Sequence, residues 1–261
     1  MIIVESHVDI ETPTGTMRTF VYKPAATGVW PGVVFFSEIY QVTGPIARTA
    51  RLLAGHGYLV AVPEVYHEFE PLGSPFAYDT VGTDKGNRYK VEKEVSSFDS
   101  DARAVLDWLG AQDDCNGRFG CIGICLGGHL SFRCAMEPDV LAGACLYATD
   151  VHKGSLGKGM SDNSMSRIPQ IKGELAMVWG RQDRHVPREG RRAIYDALAD
   201  CGAHFGWYEF NARHAFVRDE GYRYNPPLSR IVEDIVLELF QRRLQLGEPI
   251  VADEETGKLI C

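Results

Sequence analysis

Apolar residues along this chain switch repeatedly between two kinds of spacing, and each switch marks an element. Two short apolar-rich runs, Ile2–Ile10 and Met17–Tyr22, flank Thr12-Pro13-Thr14-Gly15, which has the proline and glycine that a turn favours. They predict an antiparallel pair. The unbroken apolar run in Pro31–Glu38 suits a central parallel strand buried on both faces. Helical spacing follows over Gly44–Gly57, through Ile46, Ala50, Leu53 and Ala54, and Tyr58–Val62 is again strand-like. From Pro63 to about Tyr89 the period disappears; this predicts a long loop forming one wall of a pocket. Glu92–Leu109 resumes helical spacing, Arg118–Ile124 reads as a buried strand, and a helix begins at Leu126. Strands at Val140–Ala148, Glu174–Trp179 and His204–Phe210 alternate with a polar segment, Asp150–Lys172, and a helix over Pro187–Cys201. A long helix over Leu228–Leu246 closes the pattern, and the polar tail Glu248–Cys261 is expected to be loosely held. Strands alternating with helices predict an α/β fold. It would be one doubly wound, mostly parallel sheet flanked by helices, a single domain over residues 1–247, with no lid domain.

The stretch with the most chemical content is Gly123-Ile124-Cys125-Leu126-Gly127-Gly128. It places a cysteine on a sharp strand-to-helix turn between glycines. This is the nucleophile-elbow pattern of α/β-hydrolases, with cysteine in place of serine. Gly123 and Gly127 lack the Cβ atoms that would collide where strand and helix cross, and the helix N-terminus favours a thiolate at Cys125. Alone, the pattern fits an ordinary buried cysteine equally well.

A nucleophilic cysteine needs a base and a group that orients the base. In open α/β sheets these stand on loops past the carboxyl ends of strands. Asp183, in Gly180-Arg-Gln-Asp-Arg-His-Val-Pro187, follows one strand, and His214, in Asn211-Ala-Arg-His-Ala-Phe216, follows the next. The order nucleophile, acid, histidine is that of α/β-hydrolases. His129 and His185 compete for the base and Asp150 for the acid; His129 would point away from the sulfur, His185 shares the loop of Asp183, and Asp150 lacks the Gly-x-x-Asp context. The oxyanion hole would use the N–H of Leu126, just after the nucleophile, and that of Ile39, in the loop past Val33–Phe36. Glu38 in that loop stands out, since an acid directly after a buried strand is costly unless used.

Composition narrows the field. A net charge of −8 argues against a nucleic-acid partner, and no apolar run is long enough to span a membrane. The seven cysteines are odd in number and scattered, with no Cys-x-x-Cys pair, which argues against disulfides and metal sites. With no secretory signal visible, a reducing cytoplasm is expected. The chemistry calls for no metal or organic cofactor.

The set Phe36-Ser-Glu38-Ile-Tyr40, Gly-x-Cys125-Leu-Gly-Gly, Gly-Arg-Gln-Asp183 and His214-Ala-Phe resembles the dienelactone hydrolase (carboxymethylenebutenolidase) family. The likeness runs from about Thr12 to about Leu246. It implies a Cys125–His214–Asp183 triad, with Glu38 near the thiol until substrate displaces it, and an acyl-enzyme formed by opening a small anionic enol-lactone. The product would be a dicarboxylic acid such as maleylacetate. The resemblance also implies a basic grip on the substrate carboxylate. Arg218 stands at one family position; Lys85, or nearby Arg88 beside Tyr89, would supply the other. Because a lysine stands at that second position, another lactone, ester or thioester bearing an acid group remains open, as does a catalytically silent binding module. The partner is thus a small anionic molecule, and the chain a monomer or small homo-oligomer.

Overall fold

The alternation in the first residues becomes a hairpin. The computed structural model, which describes residues 1–250, pairs β1 (Ile3–Thr12) antiparallel with β2 (Gly15–Pro24), Thr12 standing opposite Gly15. Pro13 and Thr14 are therefore the turn, and the Thr12 hydroxyl donates to the Gly15 carbonyl at 2.7 Å. The other strands are β3 (Trp30–Phe36), β4 (Leu59–Pro63), β5 (Cys115–Ile124), β6 (Val140–Leu146), β7 (Glu174–Gly180) and β8 (Phe205–Phe210). All eight lie in one sheet of order β1-β2-β4-β3-β5-β6-β7-β8. The β1–β2 and β2–β4 pairs are antiparallel; from β4 onward every pair is parallel. The all-apolar runs of β3, β4 and β6 are central because both of their faces are covered, as continuous rather than alternating hydrophobicity requires.

Helices α1 (Gly44–Gly55) and α6 (Pro226–Phe240) cover one face, packing Ile46, Leu53, Val232, Val236 and Phe240 against β3, β5 and β6. Helices α3 (Val95–Gly110), α4 (Leu126–Cys134) and α5 (Arg188–Asp200) cover the other, through Phe98, Leu106, Leu130, Ile194 and Leu198. Cys121, Cys134 and Cys145 are buried as small apolar side chains. The α-helical geometry of α6 ends at Phe240, and Gln241–Gln245 continue as a wider π turn.

The expected loop between Pro63 and Tyr89 is the main correction. Its second half is helical: α2 spans Thr80–Glu92, and α3 begins at Val95 rather than Glu92. The helix has almost no apolar stripe, so periodicity could not reveal it. Local chemistry forms it instead. Asp79 caps its N-terminus by accepting from the Gly82 N–H at 2.7 Å. Gly86 then lets it press against the loop after β3, where a Cβ would stand 2.2 Å from the Ile39 carbonyl oxygen. The polar segment Asp150–Lys172 holds three short 3-10 turns. It is pinned to α4 by His129 and Arg133, whose ring and guanidinium nitrogens lie 2.7 and 2.8 Å from the Ser164 hydroxyl. Most of the expected loose tail lies outside the described residues; within them, the Glu248 N–H donates to the Arg242 carbonyl at 3.0 Å.

Candidate active site

Parallel strands deliver their following loops to one rim of the sheet, and Glu38, Cys125, Asp183 and His214 all stand on such loops. Cys125 links β5 to α4 with φ 61° and ψ −116°, a region that costs a residue with a Cβ on the order of 1–3 kcal/mol. Tertiary contacts impose it. The Cys125 N–H donates to the Leu146 carbonyl at 3.0 Å, and its own carbonyl accepts from Gly128 and Thr149. The flanking glycines are obligatory: a Cβ on Gly123 would lie 1.8 Å from the Gly127 carbonyl oxygen, and one on Gly127 would lie 2.1 Å from that of Phe36.

Asp183 follows β7 and His214 follows β8, and both are buried. His214 Nδ1 lies 2.6 Å from Asp183 Oδ2, while Asp183 Oδ1 accepts the His185 N–H at 2.8 Å. Burial alone would lower the basicity of His214. Negative charge at Cys125, then the Asp183 carboxylate, overcomes it and raises the imidazole from 6.5 to about 10. Asp183 is itself held below the usual carboxylate range: burial pushes it up, but the His214 pair and the His185 N–H prevail. Tyr147 backs the imidazole edge-on, with ring centroids 4.9 Å apart.

Glu38, 2 % exposed, is caged rather than free. Tyr78 donates to Oε2 at 3.2 Å, and an Arg218 terminal nitrogen lies 3.5 Å from the same oxygen. Burial still raises its carboxyl above the usual value, against the pull of Arg218, His214 and Tyr78. The Arg218 guanidinium also lies 4.2 Å from the Tyr78 ring centre. Ile39 lines the same cleft, and Leu126, the residue after Cys125, is the first of α4.

The cleft has a volume of about 200 Å³, and Cys125, His214, Glu38, Ile39 and Arg218 all face it. Lys85, Arg88 and Tyr89 do not. Lys85 pairs with Glu70 at 2.5 Å, Arg88 reaches Glu92 at 3.7 Å, and the buried Tyr89 donates to Glu70 at 2.7 Å. Because this segment is a helix rather than a loop, a different side of it faces the sulfur: Thr83, Asn87 and Lys90. Lys90 pairs with Asp150 at 2.8 Å, so Asp150, the rival acid, serves a lysine instead of His214. His129 is buried on α4 against Ser164, while His185 lines the cleft with its ring 4.5 Å from that of His214. Lys153, Arg223, Tyr78 and Tyr147 were not marked by any motif. Among the described residues one carboxylate–histidine group, His67, Glu68 and Asp101, could converge on a cation, but the Lys93 ammonium already sits among them, 2.6 Å from Asp101 and 2.9 Å from Glu68.

The dienelactone hydrolase family model matches residues 17–244, which include every residue of this cleft. The chain belongs to the dienelactone hydrolase family. A putative carboxymethylenebutenolidase of Saccharomyces cerevisiae is 38 % identical, with 98 % of each chain covered. A carboxymethylenebutenolidase of a Pseudomonas species is 27 % identical over 85 % of this chain and 89 % of its own. A crystal structure of a putative dienelactone hydrolase from Klebsiella pneumoniae superposes with a TM-score of 0.79 at 21 % identity, covering 93 % of this chain and all of the other. As a dienelactone hydrolase family member with this fold, the chain is a lactone or ester hydrolase. None of the helices among the described residues is long and apolar enough to cross a membrane.

Proposed function

We propose that the chain opens a small anionic enol-lactone through a thioester acyl-enzyme on Cys125. The observation that carries this reading is the charge relation at His214, whose imidazolium is favoured jointly by Cys125 and by Asp183 at 2.6 Å. A histidine oriented by a buried carboxylate and sharing a cleft with a cysteine held on a strained turn is the arrangement that nucleophilic catalysis needs.

Arg218 receives the substrate carboxylate, which competes with Glu38 for the guanidinium. His214 holds the proton given up by Cys125, and the thiolate adds to the lactone carbonyl, forming a C–S bond. The carbonyl oxygen takes up negative charge beside the N–H groups of Ile39 and Leu126. Collapse of this intermediate breaks the ring C–O bond and releases an enolate that remains tethered to the acyl group. The enolate takes a proton from water as that water attacks the thioester. Cleavage of the C–S bond then returns the sulfur as a thiolate beside His214, and the product leaves as a ring-opened diacid.

A broader carboxylesterase or thioesterase on the same three residues is the second reading. The polar wall of Thr83, Asn87 and Lys90 favours it, because it replaces the expected second grip at Lys85 or Arg88. Turnover of a dienelactone against a panel of neutral aryl esters separates the two. A preference for the lactone supports the first reading, and a preference for the neutral esters establishes the second.

A further inference from the structure

The cleft opens beside His214 into a wider vestibule of about 540 Å³, lined by Gln182, Arg184, His185, Arg213, Tyr222 and Arg223 with His214 at its inner edge. No acid lines it. In a chain whose net charge is −8, three arginines converge on one opening. The acids nearest to them in sequence are already committed. Asp183 holds His214, Asp219 and Glu220 hold Arg48, and Glu209 holds Arg191. Arg184 and Arg213 are exposed, on the loops that also carry the candidate acid and base. Arg223 is half-buried, and its Nε is wholly buried with no hydrogen-bond partner among the described residues. A guanidinium with an unpartnered N–H and no carboxylate among its ion pairs is left with uncompensated charge, which an oxyanion at its outer nitrogens would offset. Arg223 also lines the catalytic cleft itself, so it bridges the two spaces.

We propose that Arg184, Arg213 and Arg223 form a second anion-binding subsite, separate from Arg218, that takes a carboxylate or phosphate group on the leaving-oxygen side of the substrate. The placement follows from the chemistry. In an ester whose leaving oxygen is protonated by the imidazolium, that oxygen departs toward His214, so the group attached to it projects past His214 and into the vestibule. Arg218 is engaged with Glu38 and Tyr78; it shares the cleft wall with Arg223 but does not line the vestibule that holds Arg184 and Arg213. The preferred substrate therefore carries two anionic groups, one on each side of the scissile bond. This inference rests on the hydrolase reading above, and its test keeps the two apart.

Acetate esters of phenol, of 4-hydroxybenzoate and of 4-hydroxyphenyl phosphate present no anion, a carboxylate and a phosphate on the leaving group. For the unaltered chain, kcat/KM should favour one or both anionic esters, and the preference should shrink with added salt. In the double variant Arg184→Gln/Arg213→Gln, and separately in Arg223→Gln, the anionic-to-neutral ratio should fall at least tenfold. Whichever ester loses more identifies carboxylate or phosphate as the natural group. An unchanged ratio overturns the subsite while leaving the hydrolase intact. If no ester is turned over, the subsite is judged by calorimetric binding of 4-hydroxyphenyl phosphate to the Cys125→Ala variant. Equal affinity with and without the arginine substitutions then overturns it.

Discussion

Arg218 and Glu38 approach to 3.5 Å in a cleft wall where Glu38 is almost wholly buried, and Tyr78 touches both. A substrate carboxylate at Arg218 must therefore replace a resident carboxylate. Only a guanidinium has the planar fork to hold two carboxylates in turn. Arg218→Lys should raise KM for a carboxylate-bearing lactone roughly ten- to a hundredfold, in line with ~1.5–3 kcal/mol for a hydrogen bond to a charged group, and change kcat far less. Steady-state kinetics read this directly, and an unchanged KM would remove Arg218 from substrate binding.

Strain at Cys125 predicts an unusual ranking of stabilities. Cys125→Ala and Cys125→Gly should both abolish hydrolysis while keeping the fold. Glycine ordinarily costs about 0.5–1 kcal/mol relative to alanine, but at φ 61° and ψ −116° it relieves a strain of order 1–3 kcal/mol. The glycine variant should thus melt at or above the alanine variant, by up to about 5–10 °C for a chain of this size. Thermal unfolding followed by circular dichroism checks it; a glycine variant several degrees less stable would show that the backbone there is relaxed.

The raised basicity of His214 has a definite sign. A group whose folded value, about 10, lies above its ordinary value of 6.5 contributes stability that is complete below pH 6.5 and fades as pH rises toward 10. Negative charge at Cys125 is a principal cause, so Cys125→Ala should lower the imidazole value and flatten the stability loss across that window. Imidazole proton NMR titration of the two proteins tests the shift. Identical titrations would uncouple the two side chains.

Close packing at Gly86 predicts a catalytic defect without a charge change. Gly86→Ala puts a methyl 2.2 Å from the Ile39 carbonyl oxygen, so α2 or the Ile39 loop must move. The expected result is a kcat reduced about tenfold or more, as the oxyanion N–H is displaced, with a small loss of melting temperature. Full kcat in a folded variant would show that α2, not the Ile39 loop, gives way.

What could be read from the chain divides along physical lines. The buried parallel strands β3 and β4 were legible because a strand covered on both faces must be continuously apolar. Cys125, Asp183 and His214 were legible because chemistry ties them to strand ends and glycines. Helix α2 was not, since its stability comes from the Asp79 cap and from glycines fitted against other backbone rather than from an apolar stripe. That single omission misdirected Lys85, Arg88 and Tyr89 toward the substrate and hid Thr83, Asn87 and Lys90. Arg223 and Tyr78 were hidden for another reason: their importance lies in partners brought together only by tertiary structure.

One consequence of α2 concerns how such a catalyst can change its diet. The helix presents a single stripe of three side chains to the reactants, while sulfur, imidazole and carboxylate come from β5, β8 and β7 loops it does not share. Exchanging that stripe would retune what is admitted and leave bond cleavage untouched, so new selectivity is reachable in three codons without passing through a dead protein.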